Sequence, residues 1–208
     1  FGITDALREE AMYNYVQATY IQNSALGESV TAFQDFIREY PNSQYINKVY
    51  ALMADLYLTS KNYQSALDAL QTISTPNEQM LQTMQHLRYQ LAVDAFVQGK
   101  MIDVLKWTNV VIENATQPST YKTEAYYLAA QAHYRIHQYP QTIAQLQFYL
   151  QQPNIAESTN KTTALYLHAY ALFNQKDFAT AEPIFRQYVA AMGNNTANTT
   201  YADALNRI

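Results

Sequence analysis

The chain has 208 residues, with 13 Lys and Arg against 17 Asp and Glu, a formal charge of -4, 49% apolar residues and no cysteine. The missing cysteine excludes disulfides, thiolate metal sites and thiol catalysis together, and only four Gly leave no Gly-rich phosphate loop. Mild acidity argues against a nucleic-acid-binding face, and no apolar run approaches the ~20 residues of a membrane-crossing helix. Tyrosine is enriched, at 19 residues, while charged residues make up only 14% against a usual ~25%. Gln, Asn, Thr and Tyr therefore decorate the surface in place of charge. The chain opens on Phe1 without a charged or apolar leader, so a processed or recombinant piece of a longer protein is expected.

In chain order, the apolar periodicity predicts five pairs of amphipathic helices. The first copy carries Tyr13, Gln17, Tyr20, Leu26, Ser29, Phe33 and Pro41. The second carries Tyr50, Ala54, Tyr57, Tyr63, Ala66 and Leu70, broken at Thr59-Ser60-Lys61-Asn62. The third is read as Tyr89, Val93, Phe96, Ile102, Leu105 and Asn109. Tyr126, Ala130, His133, Tyr139, Thr142 and Leu146 make the fourth, and Leu165, Ala169, Leu172, Phe178, Ala181 and Phe185 the fifth. The offsets are 37, 39, 37 and 39 residues, and the copies span approximately 10–43, 47–80, 86–119, 123–156 and 162–195. A partial sixth at 202–208 starts with Leu205 and Ile208 ahead of the next small-residue site, so a longer array is expected to continue. Between pairs stand Pro41-Asn42-Ser43, Thr75-Pro76-Asn77, Gln117-Pro118-Ser119, Gln152-Pro153-Asn154 and Met192-Gly193-Asn194-Asn195. Pro stops a helix by lacking an N–H, and Ser, Thr and Asn cap the next one.

These residues resemble the tetratricopeptide repeat family over nearly the whole chain. The resemblance implies an all-α fold, a right-handed α-α superhelix of about five helix pairs plus a partial sixth, in a single array over 1–208. Ala54, Ala130 and Ala169 in first helices, with Ala66 and Ala181 in second helices, are small where backbones must approach. Phe33, Tyr57 and Phe185 are expected to fill the space between pairs. Gln17, Ser29, Val93 and Leu105 depart from the small-residue pattern, so the first and third pairs should sit slightly apart.

Among residue types that carry chemistry, His133 and His137 stand four apart, but His137 falls in a turn and no third ligand is placed nearby. His86 is isolated, and His168 sits at a packing position, where a satisfied core histidine is expected. Glu9-Glu10 is the only adjacent acidic pair, read as first-turn residues that suit the helix dipole. No hydrolase or zinc-protease motif is present, and no metal, cofactor or catalytic residue is expected. Asn114, Asn160, Asn194 and Asn198 open Asn-x-Thr patterns, which chance explains in a chain this rich in both residues.

In helix-pair solenoids of the family, first helices line the concave face. The positions not used for packing are Tyr127, Gln131, Tyr134 and Arg135, then Tyr166, Tyr170, Phe173 and Asn174, an aromatic strip that is the expected partner-binding groove. Earlier copies offer Asn14, Lys48, Asp55, Gln90 and Asp94. Tyr supplies large contact area and a hydroxyl at low entropy cost; the competing reading packs these tyrosines between helices. Family members that hold chaperone C-termini use Lys, Asn and Arg at positions that here carry Asn14, Ala18, Leu52, Leu87 and Leu91, so that activity is not implied.

The expected function is a non-catalytic scaffold that binds a peptide or partner protein. The phrase Ala32-Phe33-Gln34-Asp35-Phe36-Ile37-Arg38-Glu39-Tyr40-Pro41-Asn42-Ser43 resembles repeat ends in Gram-negative cell-envelope proteins. The opening 5–11 and closing 202–208 resemble large Bacteroidetes repeat proteins. Both imply a periplasmic or outer-membrane-associated location. Two other readings stay open: a glycan-binding helper of nutrient uptake, and a regulatory repeat arm of a larger enzyme.

Overall fold

A computed structural model describes residues 4–22, 26–114, 119–193 and 198–208. The turns expected at Gln117-Pro118 and Asn194-Asn195, the Asn194 acceptor, the rest of the Asn114 pattern and the side chain of Leu26 lie outside the described residues. Within them the protein is all-α. The helices are α1 (Asp5–Ile21), α2 (Leu26–Glu39), α3 (Ile46–Thr59), α4 (Tyr63–Gln71), α5 (Glu78–Val97) and α6 (Met101–Asn114). They continue with α7 (Thr120–Arg135), α8 (Tyr139–Leu150), α9 (Lys161–Asn174), α10 (Phe178–Met192) and α11 (Thr199–Leu205). The five expected copies correspond to the pairs α1/α2 through α9/α10, and α11 begins a sixth. Polar side chains start the helices: Thr4, Asn62, Ser119, Asp177 and Asn198 each accept a backbone N–H of the helix they precede, satisfying donors with no intrahelical partner.

The chain forms two compact units, Phe1–Leu87 and Arg88–Ile208. In the first, α1 packs on α2 and α3, α2 on α3, and α3 on α4. Its core holds Val16, Phe33, Phe36 and Val49, all fully buried, with Tyr13 stacked on Tyr45 at 4.2 Å. Ser43 ties the joint between pairs: its hydroxyl donates to Glu9 Oε1 at 2.5 Å and accepts from the Tyr45 N–H. Glu9 thus serves a packing role. The first-turn acid of α1 is Asp5, so Glu9-Glu10 falls one turn later than the sequence reading placed it.

In the second unit α6 packs on α7, α7 on α8 and α9, α8 on α9, α9 on α10, and α10 on α11. Here a joint like that of Ser43 recurs. Ser158 donates to Glu124 Oε1 at 2.5 Å, shares a 2.5 Å hydrogen bond with the Tyr149 hydroxyl, and accepts from the Asn160 N–H. Asn160 Nδ2 donates to the other Glu124 oxygen at 2.7 Å.

Four pairs share one turn. Lys61, Gly99, His137 and Lys176 have φ of 59°, 76°, 61° and 63°, the left-handed region that favours glycine. In each, the N–H of this residue bonds the carbonyl three back, and the next N–H reaches five back, as Asn62 to Tyr57 at 2.8 Å and Gln138 to His133 at 2.9 Å. That pairing closes a helix C-terminus in the Schellman manner. Three of the four sites carry a Cβ there, which costs roughly 1–2 kcal/mol. Lys61→Gly and Lys176→Gly should therefore each stabilise the fold by about 0.5–1 kcal/mol after the extra freedom of the unfolded chain is counted. Urea denaturation checks this, and a loss of stability in both would contradict the turn assignment.

These turns step by 38, 38 and 39 residues, from 61 to 99 to 137 to 176, and they correct the third copy. Seven residues before each turn stand Ala54, Ala92, Ala130 and Ala169, all buried. Five residues after stand Ala66, Val104, Thr142 and Ala181, also buried. The third copy is therefore built on Ala92 and Val104; Val93 and Leu105 are only half-buried. An alanine therefore occupies the crossing point of that pair, as in the pairs that carry Ala54, Ala130 and Ala169. Ser29 fits the first pair by a different route: it is fully buried and its hydroxyl donates to the Thr19 carbonyl at 3.1 Å.

His168 also differs from expectation. It is buried on α9 at 7% exposure, yet neither ring nitrogen has a hydrogen-bond partner. Burial lowers its pKa below the usual 6.5, so the folded state holds it neutral while the unfolded chain protonates near ~6.5. Its contribution to stability is present above that pH and is lost as pH falls through ~6.5 toward the lower folded value. Thermal melts from pH 7 to pH 5 should show a fall in Tm that is smaller in His168→Leu. An identical pH dependence in the variant would refute this.

Candidate binding cleft on the first helices of the second unit

Once the third copy is moved by one residue, three first helices present matching side chains. Tyr89, Tyr127 and Tyr166 form one row, and Phe96, Tyr134 and Phe173 another. The offered positions Gln90 and Asp94 give way to Tyr89 and Val93. Sequence reading had assigned Phe96 to packing and overlooked Tyr89 as a groove residue. The signal that would have found them is Gly99, which marks the turn.

An open cleft of about 180 Å³ is lined by Phe96, Tyr127, Gln131, Tyr134, Arg135, Thr163, Tyr166 and Leu167. Five of the eight expected residues meet there. Tyr127 is only 6% exposed and packs on Tyr149 at 5.4 Å in a cluster with Ala130, Leu146 and Ala164. It is chiefly a core residue whose edge reaches the cleft. Its pKa is raised, first by burial and then by the Glu124 charge. Gln131 and Tyr134 are half-buried and Arg135 is exposed. The Tyr134 ring meets Tyr139 edge-on at 5.6 Å, and its hydroxyl accepts from Asn174 Nδ2 at 3.4 Å. The Arg135 guanidinium lies 4.0 Å over the Phe96 ring.

Tyr170 and Phe173 lie one repeat along, where α11 and the residues after it meet them, while Asn174 donates to the Tyr134 hydroxyl and the Tyr170 carbonyl. The Arg207 guanidinium sits 4.6 Å from the Tyr170 ring and 4.3 Å from the Phe173 ring. It also donates to the Tyr170 hydroxyl at 2.6 Å. Asp203 accepts from Arg207 Nε at 3.1 Å and from the Tyr166 hydroxyl at 2.8 Å. Burial raises the Asp203 pKa, but the hydrogen bonds from Arg207 and Tyr166 with the Arg207 charge outweigh it and hold the carboxyl below its ordinary value. Tyr166 is pushed well above the ordinary phenol range by burial and by the Asp203 hydrogen bond. Phe185 lies under both tyrosines, 6.1 Å from Tyr166 and 6.0 Å from Tyr170.

The other candidates are dispersed. Asn14, Lys48 and Asp55 are exposed in the first unit, where Asp55 accepts from the Tyr20 hydroxyl. His133 Nδ1 pairs with Gln138 Oε1 at 2.7 Å, His137 stands in the turn, and His86 is half-buried on α5. Among the described residues no group of three or more His, Asp or Glu is placed to hold a metal, and no helix is long and apolar enough to cross a membrane. Asn160 and Asn114 spend their amide groups on Glu124 and the Val110 carbonyl.

A tetratricopeptide repeat family model matches residues 163–191, which span most of α9 and nearly all of α10. A search of curated proteins finds no match to the chain. Among solved structures the chain is similar to BtubC (BKLC) from P. vanneervenii. That match has 10% identity and a TM-score of 0.55 over 92% of this chain and 81% of that one. Another is a tetratricopeptide repeat protein from Parabacteroides merdae, with 15% identity and a TM-score of 0.49 over 96% and 73% of the two chains. A third is the TPR2AB domain of yeast Sti1 in its pHSP90 complex, with 15% identity and a TM-score of 0.44 over 95% and 85%. One tetratricopeptide repeat is thus matched outright at residues 163–191, and buried alanines at the helix crossings and a shared turn recur in the copies before it.

Proposed function

We propose that the protein is a non-catalytic scaffold that holds an extended segment of a partner protein across the first helices of its second unit. Tetratricopeptide repeats are scaffolds for protein–protein contact, and solenoids of this kind bind along their exposed helix faces. The observation that carries the reading is the cleft of about 180 Å³ bordered by Phe96, Tyr134, Arg135 and Tyr166. Its volume falls below the ~300–1,000 Å³ of small-molecule pockets and suits one anchoring side chain of a peptide. Aromatic and Arg side chains around such a pocket are the usual anchors of protein interfaces.

The test is affinity capture from an envelope extract of the source cells, with the full chain as bait. The control is Gln131→Ala/Tyr134→Ala/Arg135→Ala, which spares the packed Tyr127 and Tyr166. A protein held by the native chain and lost from a folded control supports the reading. Equal retention by both would move the binding surface elsewhere.

The same proposal places the protein in the cell envelope, on the resemblance of residues 32–43 to envelope repeat ends. Within that phrase Phe33 and Phe36 are buried and Ser43 bridges to Glu9, so its residues also serve the joint between pairs. Fractionation of source cells that finds the protein in the cytosol would defeat the placement.

A further inference from the structure

We infer that the side chain this cleft accepts is acidic, an Asp or Glu carboxylate carried within an extended partner segment. The inference rests on the groove reading above and names the chemistry of its anchor. Two adjacent repeats of the same face carry it. Ala164 and Ala204 are equivalent, both fully buried in their first helices, which makes Thr163 the counterpart of Asp203 and Leu167 the counterpart of Arg207.

At the later position the face is satisfied from within. Asp203 accepts from the Tyr166 hydroxyl at 2.8 Å, from the Tyr170 hydroxyl at 3.5 Å and from Arg207 Nε. Arg207 fills the remaining space over Tyr170 and Phe173. At the earlier position Tyr127, Gln131 and Tyr134 replace Tyr166, Tyr170 and Phe173. Thr163 and Leu167 bring neither a carboxylate nor a guanidinium. The cleft is the volume that the later repeat fills with its own ion pair.

Charge decides what enters. The lining contains one formal charge, Arg135, and no acidic residue. Among the described residues Arg88 and Arg135 have no carboxylate within ion-pair distance, whereas Arg8, Arg38, Arg186 and Arg207 each have at least one; of the first two only Arg135 borders the cleft. Its guanidinium sits 4.0 Å over the Phe96 ring, a contact that occupies none of its N–H donors. A cationic side chain would meet repulsion there. An aliphatic one would cover the Arg135 donors without pairing them, and unpaired buried donors are costly. A carboxylate accepts from Arg135 and stands beside further donors on Gln131 and Tyr134, as Asp203 stands beside Tyr166 and Tyr170.

Three pools of short peptides test this, acetylated and amidated so that no terminal charge contributes. Each is randomised except for a central Glu, Gln or Lys. Each pool is titrated into the full chain at low salt while the Arg135 side-chain Nε–H signal is followed by NMR. The Glu pool should shift that signal and bind at least about threefold more tightly than the Gln pool. The preference should shrink toward unity near ~0.5 M salt. It should also vanish in Arg135→Gln, whose melting temperature is expected to match the native chain because the residue is exposed. Equal binding of the Glu and Gln pools, or a preference that survives Arg135→Gln, overturns the acidic anchor while leaving the groove reading in place. Binding of the Lys pool alone overturns it as well. Absence of binding by any pool overturns the anchor too, and the capture experiment then judges the groove by itself.

Discussion

Replacing Phe185 with Ala is expected to lower the unfolding free energy by about 3–5 kcal/mol, the largest single loss anticipated here. Phe185 is fully buried in the cluster of Ala169, Leu172, Ala181, Tyr188 and Ala204. It belongs to α10 but supports α9, since its ring lies against both Tyr166 and Tyr170. Truncation removes the transfer free energy of the ring and leaves a void where close packing allows little collapse. Urea denaturation gives the number, and a loss below about 1 kcal/mol would show that the ring does not join these helices. Because Tyr166 borders the cleft, the variant should also weaken partner capture under conditions where it remains folded.

The second large effect is expected from Ala92→Leu, at about 1–3 kcal/mol. Ala92 is fully buried against Ala95, Met101, Val104 and Leu128, at the crossing position that Ala54, Ala130 and Ala169 hold in other repeats. Three added carbons have no space there and must displace a helix or force strained rotamers. Val93→Leu is the companion measurement. Val93 is half-buried, so its change should stay within about 0.5 kcal/mol. The reverse ranking would restore the register with Val93 at the crossing and undo the alignment of Phe96 with Tyr134 and Phe173.

The register error has a local cause. Leu91-Ala92-Val93 is apolar throughout, so helical periodicity accepts either of two phases one residue apart. The aromatic spacing Tyr89 to Phe96 imitates the seven-residue spacing of Tyr50 to Tyr57, which drew the alignment to the wrong phase. Gly99 was the better marker, because a left-handed turn residue belongs at one defined place after a helix. The equivalent sites carry Lys61, His137 and Lys176, residues that do not announce a positive φ, so the glycine has no visible counterpart in the other copies.

The candidate site was legible in its members and less so in its grouping. Tyr127, Gln131, Tyr134, Arg135 and Tyr166 meet at one cleft, because residues three, four and seven apart share a helix face. Their environments depend on partners on other helices, well separated along the chain. Whether Tyr127 faces solvent turns on Tyr149 of α8, and whether Tyr170 stands open turns on Arg207, 37 residues along the chain.

The amino-acid sequence by itself determined the helix pairs, their order and the alanines at most crossings. Those features follow from local periodicity, turn chemistry and residue size, all of which operate within a few residues. Only the tertiary structure decided the phase of the third repeat, the burial of Tyr127 and the orphaned nitrogens of His168. It also decided which of two equivalent clefts is filled by Asp203 and Arg207 and which is left open. The physical reason is that burial and ion pairing depend on what the neighbouring helix brings into contact, and a repeat's own residues do not specify their neighbour.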